Sequence, residues 1–164
     1  MIRHTTLSDI ETITDILSRS VKIMQLEGNP QWSGDYPSRI DFIRDISSDT
    51  LFGFESEGTL KGFICINQVQ PPEYEEITWN KKTEFYALHR MAVDPDSRRK
   101  GIAKELISFA EDYAKENDIF YIRTDTFSKN NGMNRLFESC GYNKTGEVHF
   151  RGIEEHFNCY DKIL

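Results

Sequence analysis

Residues 92–106 read AVDPDSRRKGIAKEL, with three consecutive cations, Arg98, Arg99 and Lys100, just before Gly101 and the start of a helical pattern. A helix start carries the positive end of the macrodipole, so cationic side chains are disfavoured there. An anion would resolve the conflict. The first amides of a helix have no internal partner and, together with the dipole, bind phosphate. A loop that curls its own amides inward deepens such a site into an anion nest. Gly101 lets the main chain approach a ligand with no Cβ in the way, and Ala103 is the next-smallest choice. Arg98, Arg99 and Lys100 can then add charge-assisted contacts to phosphate oxygens. A solvated basic turn fits the same spacing equally well. A Walker loop, G-x-x-x-x-G-K-[ST], is absent, and so is the dinucleotide fingerprint G-x-G-x-x-G.

The elements that must position this stretch are legible around it. Ile2–Thr5 reads as a strand. Ser8 and Glu11 form a capping-box pattern for a helix near 8–27, with Ile10, Ile13, Leu17, Val21 and Met24 at helical spacing. The loop NPQWSGDYP follows, and Ser38 caps a second helix near 38–47. Two β-rich runs flank Glu57-Gly58, a hairpin. PPEYEEITWNKK breaks the pattern and reads as a mobile or substrate-facing segment. EFYALHRMAV is a strand, 100–116 a helix and IFYIRTDTF a further strand. SKNNGMNRLFESCGY gives a loop and short helix stopped at Gly141, and strands near 143–149 and 156–163 flank RGIEE. This order predicts one α/β domain over 1–164, a mixed sheet with helices on both faces.

Composition bounds the partners. The 164 residues suffice for one domain with a sizeable core. The formal charge of -7 argues against a nucleic-acid partner, which needs a basic face. No apolar run reaches membrane-spanning length, and MIRHTTLSDIETI lacks a signal-peptide core, so no membrane partner and a cytoplasmic location are expected. Cys65, Cys140 and Cys159 are few, odd in number and unclustered, against a disulfide framework. His149, His156 and Cys159 match no standard metal spacing, and no metal is expected.

The stretch AVDPDSRRKGIAKEL resembles the acetyl-CoA signature of the GNAT N-acetyltransferases: Arg98, Gly101 and Ala103 meet the core R/Q-x-x-G-x-G/A. NNGMNRLFESCGY is similar to the family's second motif, N-x-x-A-x-x-x-Y-x-x-x-G-F/Y, with Asn130 as its Asn and Gly141 as its Gly. The element order resembles the family over roughly 2–163. The resemblance implies a GNAT fold, with a mostly antiparallel sheet of about six or seven strands, acetyl-CoA as donor, and a small-molecule or peptide amine as acceptor. A homodimer is left open. It implies that main-chain groups of Met91, Ala92 and Val93 pair with the pantetheine arm. Amides from Arg98 through Arg99, Lys100, Gly101 and Ile102 to Ala103 would hold the pyrophosphate, with Lys104 beside them and Asn130 reaching the cofactor. An N–H near Met91–Val93 could polarise the thioester carbonyl.

On that frame the acid–base candidates can be placed. Strand alternation puts Ala87, His89, Met91 and Val93 on one face, so His89 would lie near the thioester. Its ordinary pKa, about 6.5, suits a base or relay, while Glu84 and Glu76 are weaker candidates at the strand's rim. Phe137 occupies the position where the family often has a Tyr to protonate the leaving thiolate. Tyr142 sits at the motif's final aromatic position, and no acid is assigned. In the N-terminal loop, Trp32 and Tyr36 could stack on an acceptor or pack beneath the loop, and Asp35 could pair with an amine. Glu73, Glu75 and Glu76 would attract a cation or simply be solvated. No cysteine lies where a nucleophile is needed, so direct attack in a ternary complex is expected. The alternative function is a non-catalytic acyl-CoA-binding module or sensor, motivated by Phe137.

Overall fold

A computed structural model describes residues 1–164. Seven strands form one sheet in the order β1-β2-β3-β4-β5-β7-β6. They are β1 (Ile2–His4), β2 (Leu51–Ser56), β3 (Thr59–Asn67), β4 (Tyr86–Val93), β5 (Tyr121–Phe127), β6 (Asn143–Val148) and β7 (Phe157–Ile163). The helices are α1 (Ile10–Leu26), α2 (Arg39–Ser47), α3 (Ile102–Glu116) and α4 (Asn131–Ser139). The pairs β1/β2, β2/β3, β5/β7 and β6/β7 are antiparallel, whereas β4 runs parallel to β5, with Tyr86 opposite Ile122 and Ala87 opposite Arg123. The mixed, mostly antiparallel sheet expected from the sequence is present.

The chain divides into two compact units. The first holds Met1–Ile66 and His89–Phe109. Its core gathers the helical-spaced Ile10, Ile13, Leu17 and Val21 of α1 with Phe42 and Ile46 of α2 and Leu51, Leu60 and Phe63 of the β2–β3 hairpin. Phe42 and Phe63 meet edge-on at 5.2 Å, a favourable arrangement for aromatic rings. The α1 cap differs from expectation. A short 3-10 turn at Leu7–Asp9 precedes α1, and Asp9 accepts from the Thr6 main-chain N–H at 2.8 Å. The reciprocal cap therefore starts at Thr6 rather than Ser8. Ser38 caps α2 as its sequence suggests, with Asp41 closing the box at 2.7 Å onto the Ser38 N–H.

The second unit holds Asn67–Leu88 and Ala110–Leu164. Tyr74, Phe127, Val148, Phe150, Phe157 and Cys159 form its apolar cluster. Asn134 of α4 is buried at the centre of a network. Its amide donates to the Phe127, Ser128 and Asn130 carbonyls, and its Oδ1 accepts from Asn158 at 2.9 Å and the Tyr160 hydroxyl at 2.7 Å. One side chain thus satisfies the end of β5 and ties α4 to β7. Segment 71–82, read from its composition as mobile or substrate-facing, is held to the unit's core by a short turn. Pro72–Glu76 forms a 3-10 turn, Tyr74 is fully buried, and Trp79 packs on it at 4.9 Å while donating to the Tyr74 carbonyl. Of its acidic residues, Glu75 and Glu76 are exposed and Glu73 is half-buried.

Candidate functional site

In the first unit, the end of β4 leads into a loop braced by one carboxylate. Asp94 is 6% exposed. It accepts from the Asp96 N–H and the Ser97 hydroxyl, each at 3.2 Å, and from Arg19 at 2.9 Å. Burial alone would raise its pKa, but these donors together hold it below the ordinary carboxylate value. The braced turn, Pro95–Ser97, delivers the chain to Arg98 in extended conformation. Arg99 then has φ 63° and Gly101 φ 83°. Two left-handed residues within three positions curl the main chain, the geometry that gathers successive amides on one side. No side-chain contact lies within 4 Å of where a Gly101 Cβ would stand, so backbone conformation is what favours glycine there.

The first main-chain bond of α3 runs from the Glu105 N–H to the Gly101 carbonyl at 3.0 Å, and the amides of Arg98–Lys104 enter none. Arg98, Arg99, Lys100 and Lys104 are all exposed and form no ion pair. Every other arginine of this unit is paired with a carboxylate: Arg3 with Asp9 and Glu55, Arg19 with Asp15 and Asp94, Arg39 with Glu11, Arg44 with Asp41, and Arg90 with Asp45. In a chain with excess acid, four cations without carboxylate partners gather at the mouth of a helix whose amides also lack acceptors. A polyphosphate fits that donor set.

The strand before the loop departs from simple alternation. Arg90 has φ 42°, a left-handed residue inside β4. Such a residue departs from extended conformation and interrupts the period of two. The expectation that His89, Met91 and Val93 share a face is therefore not supported by simple alternation, because Arg90 lies between His89 and the other two. Ala87 and Leu88 are both buried and every residue from His89 to Val93 is half-buried, with no alternation. The strain at Arg90 is held by a buried fork-to-fork pair with Asp45, at 2.6 Å from Nε and 2.8 Å from Nη2. Arg90 also donates to the Tyr36 hydroxyl at 3.2 Å and the Cys65 sulfur at 3.6 Å. The loop before α2 is thereby tied to β4. Nothing in the residue pattern marked Asp45 or Arg90 for this role.

Of the loop residues proposed to meet an acceptor, Tyr36 is half-buried against Arg90 and Asp35 is exposed. Trp32 is 5% exposed and belongs to the first unit's core, so it packs beneath the loop and offers no stacking face. Glu84 is exposed and precedes the start of β4. Asn130 lies in the second unit as the N-cap of α4, where its Oδ1 accepts from the Met133 N–H at 3.2 Å, leaving its NH₂ group outside that bond. Phe137 is 3% exposed and packs between Tyr142 and Tyr160, each at 5.5 Å, a purely apolar role. Tyr142 is also buried, its hydroxyl has no hydrogen-bond partner, and burial with the nearby Glu111 raises its pKa. It is placed to pack. Burial pushes the Cys65 thiol up to about 11 and the Cys159 thiol higher still, so neither is a thiolate at neutral pH.

Residues 17–142 match the acetyltransferase (GNAT) family. A streptothricin acetyltransferase from Escherichia coli is 29% identical over 113 residues, which cover 67% of this chain and 58% of that protein. A GNAT-family acetyltransferase from Streptococcus agalactiae superposes with a TM-score of 0.87 at 23% identity, covering 100% of this chain and 95% of that one. The yncA protein of Salmonella typhimurium, solved with its cofactor acetyl-CoA, superposes with a TM-score of 0.74 at 17% identity, covering 100% and 93%. No helix is long and apolar enough to cross a membrane.

Proposed function

The chain belongs to the acetyltransferase (GNAT) family, and on that premise we propose that it transfers the acetyl group of acetyl-CoA to a primary amine of a small molecule or peptide, by direct attack in a ternary complex. The observation that carries this reading is the curled loop at 98–101, whose amides and cations lack partners at the start of α3. Acetyl-CoA supplies an activated thioester and a pyrophosphate by which it can be held. In this reading the amides of Arg98–Ala103 hold the pyrophosphate, and Arg98, Arg99, Lys100 and Lys104 neutralise its charge. Main-chain groups of Met91, Ala92 and Val93 align the pantetheine arm, and an N–H among them polarises the thioester carbonyl. The Asn130 NH₂ group is a further donor contact. The similarity to streptothricin acetyltransferase supports a small-molecule acceptor.

Attack needs the amine neutral, so a group or water chain must take its proton. His89 is the candidate base or relay and Glu84 the weaker one. Tyr36, oriented by Arg90, and the exposed Asp35 are the acceptor-side candidates in the first unit. The high thiol pKa values of Cys65 and Cys159 favour direct transfer over an acyl-cysteine. The test is free-thiol release from acetyl-CoA across a panel of amines, with calorimetry of coenzyme A binding alongside. Thiol release with at least one amine is expected. His89→Ala should lower kcat by about 10²–10⁴-fold with donor affinity unchanged. An unaltered pH–rate profile in that variant would remove His89 from the mechanism, and no uptake of coenzyme A would remove the donor site.

A further inference from the structure

The second unit contains a carboxylate whose surroundings differ from those of every comparable aspartate in the chain. Six aspartates are buried or half-buried: Asp9, Asp41, Asp45, Asp94, Asp125 and Asp161. Asp9, Asp45 and Asp94 each face an arginine within 3 Å. Asp41 accepts from both the N–H and the hydroxyl of Ser38, with Arg44 beyond. Asp161 accepts from the Asn80 main-chain and side-chain N–H groups and from the Tyr121 hydroxyl. Asp125 has a single partner, the neutral hydroxyl of Tyr74 at 2.5 Å on Oδ2. It enters no ion pair, and its Oδ1, which no protein donor reaches, is open to solvent on a half-buried residue.

Its setting is apolar. Asp125 lies on β5 opposite Cys159 of β7, and both Tyr74 and Cys159 belong to the unit's buried cluster, with Trp79 packed against it. The charged and titratable groups around it are few. Tyr74 and Glu73 come from the 72–76 turn, Cys159 from β7, and Arg151 from the turn between β6 and β7. Arg123, two residues back on the same face of β5, is turned elsewhere. It donates to the Gln70 side chain at 2.8 Å and the Lys81 carbonyl at 2.9 Å, and lies over Phe85 at 4.2 Å and Trp79 at 4.7 Å. Burial raises the Asp125 carboxyl to about 6, against partial relief from Tyr74 and Arg151 and with Glu73 adding to the rise. An ionised carboxylate left in such a place is one a cation would stabilise. One carboxylate beside one phenol supplies too few oxygens for a hard metal ion. A compact ammonium, satisfied by a carboxylate and an aromatic wall, suits it.

We propose that Asp125, oriented by the Tyr74 hydroxyl, is a binding site for an alkylammonium group and serves to anchor a cationic acceptor. This rests on the reading of the chain as an amine acetyltransferase. Asp125 is then a specificity-determining residue carried by the second unit. Binding should strengthen as pH rises through about 6, because the carboxylate must be ionised to pair.

Two measurements decide it. Carboxyl-carbon NMR of the full chain with labelled aspartate should show Asp125 titrating near 6. Excess n-butylamine should move that midpoint down, and the neutral isostere n-butanol should leave it in place. In steady-state assays, Asp125→Asn, which keeps an acceptor for Tyr74, should raise KM for amine acceptors about tenfold or more while coenzyme A affinity stays unchanged. An Asp125 midpoint unmoved by n-butylamine, or a wild-type acceptor KM in the variant, overturns the site. If wild-type protein acetylates no amine, the enzymatic reading fails on its own, and the NMR titration still decides the ammonium site.

Discussion

Arg98, Arg99 and Lys100 are informative because of what they do not touch. Elsewhere in the first unit arginines are held by carboxylates, some buried, as Arg90 by Asp45, and others, as Arg39 by Glu11, in exposed pairs that contribute little to stability. These three have no carboxylate partner, so removing them takes no native contact from the fold. Their charge acts on whatever arrives. Replacing all three with Gln should leave unfolding within about 0.5 kcal/mol of wild type. The same change should weaken coenzyme A binding about tenfold or more at low salt, because charge-assisted phosphate contacts are lost. Exposed charges are screened within about 10 Å at 0.1 M salt, so the gap between variant and wild type should narrow as salt is raised. Calorimetry at low and high salt reads both effects. An affinity insensitive to the triple substitution would mean that the cations are only a solvated turn. His89 and Asp125 divide differently: the first is expected in kcat, the second in acceptor KM, so a KM–kcat split separates them.

At the scale of elements, the donor loop depends on how closely β3, β4 and α3 pack. A Cβ at Gly62 would stand 2.9 Å from the Ala92 carbonyl oxygen and 3.2 Å from the Ile102 side chain. The first contact is with backbone, which cannot swing aside, so β4 or α3 must shift. Gly62→Ala is therefore expected to cost about 1–3 kcal/mol in urea unfolding and to weaken coenzyme A binding, since Ala92 and Ile102 belong to the proposed donor site. Gly34→Ala, where no atom lies within 4 Å of the added methyl, is the matched control. The sequence pattern disclosed the elements of this assembly but not its irregularities. Helical spacing in α1 and α3, the hairpin at Glu57-Gly58 and the glycine at 101 were readable because each follows from local chemistry. The left-handed backbone at Arg90 was not, because alternation assumes the very regularity that such a residue breaks. Its partner Asp45 lies 45 residues away, and no local rule joins them. The same holds for Asn134, whose five hydrogen bonds reach three separated segments. The anchoring of segment 71–82 was not legible for a related reason. Its prolines and glutamates look like a solvated loop, while the residues that hold it, Arg123, Asp125 and Asp161, come from strands far along the chain.

For the whole molecule, these carboxylates pull stability in opposite directions with pH. Asp9 is held below its ordinary pKa by hydrogen bonds from Arg3, helped by the Thr6 N–H, despite its burial. Asp41 and Asp94 are each raised by burial but held low overall by donors from Ser38, and from Asp96, Arg19 and Ser97. Groups of this kind add stability above the ordinary carboxylate range and lose it as pH falls through their depressed values. Asp125 is the reverse case. Folding raises its pKa from 3.8 to about 6, so the folded state binds an extra proton between those values and stability falls as pH rises through that window. The full penalty at neutral pH is on the order of 1–3 kcal/mol. Asp125→Asn removes it and keeps the Tyr74 hydrogen bond. In urea unfolding at a series of pH values, the variant should match wild type near pH 4. It should become progressively more stable between about pH 4 and 6, then hold a constant lead above. A lead that does not vary with pH would show that desolvation is not what distinguishes Asp125. A stabilising substitution that also raises the acceptor KM would mark Asp125 as a residue whose value lies in binding, since natural sites trade stability for function in this way.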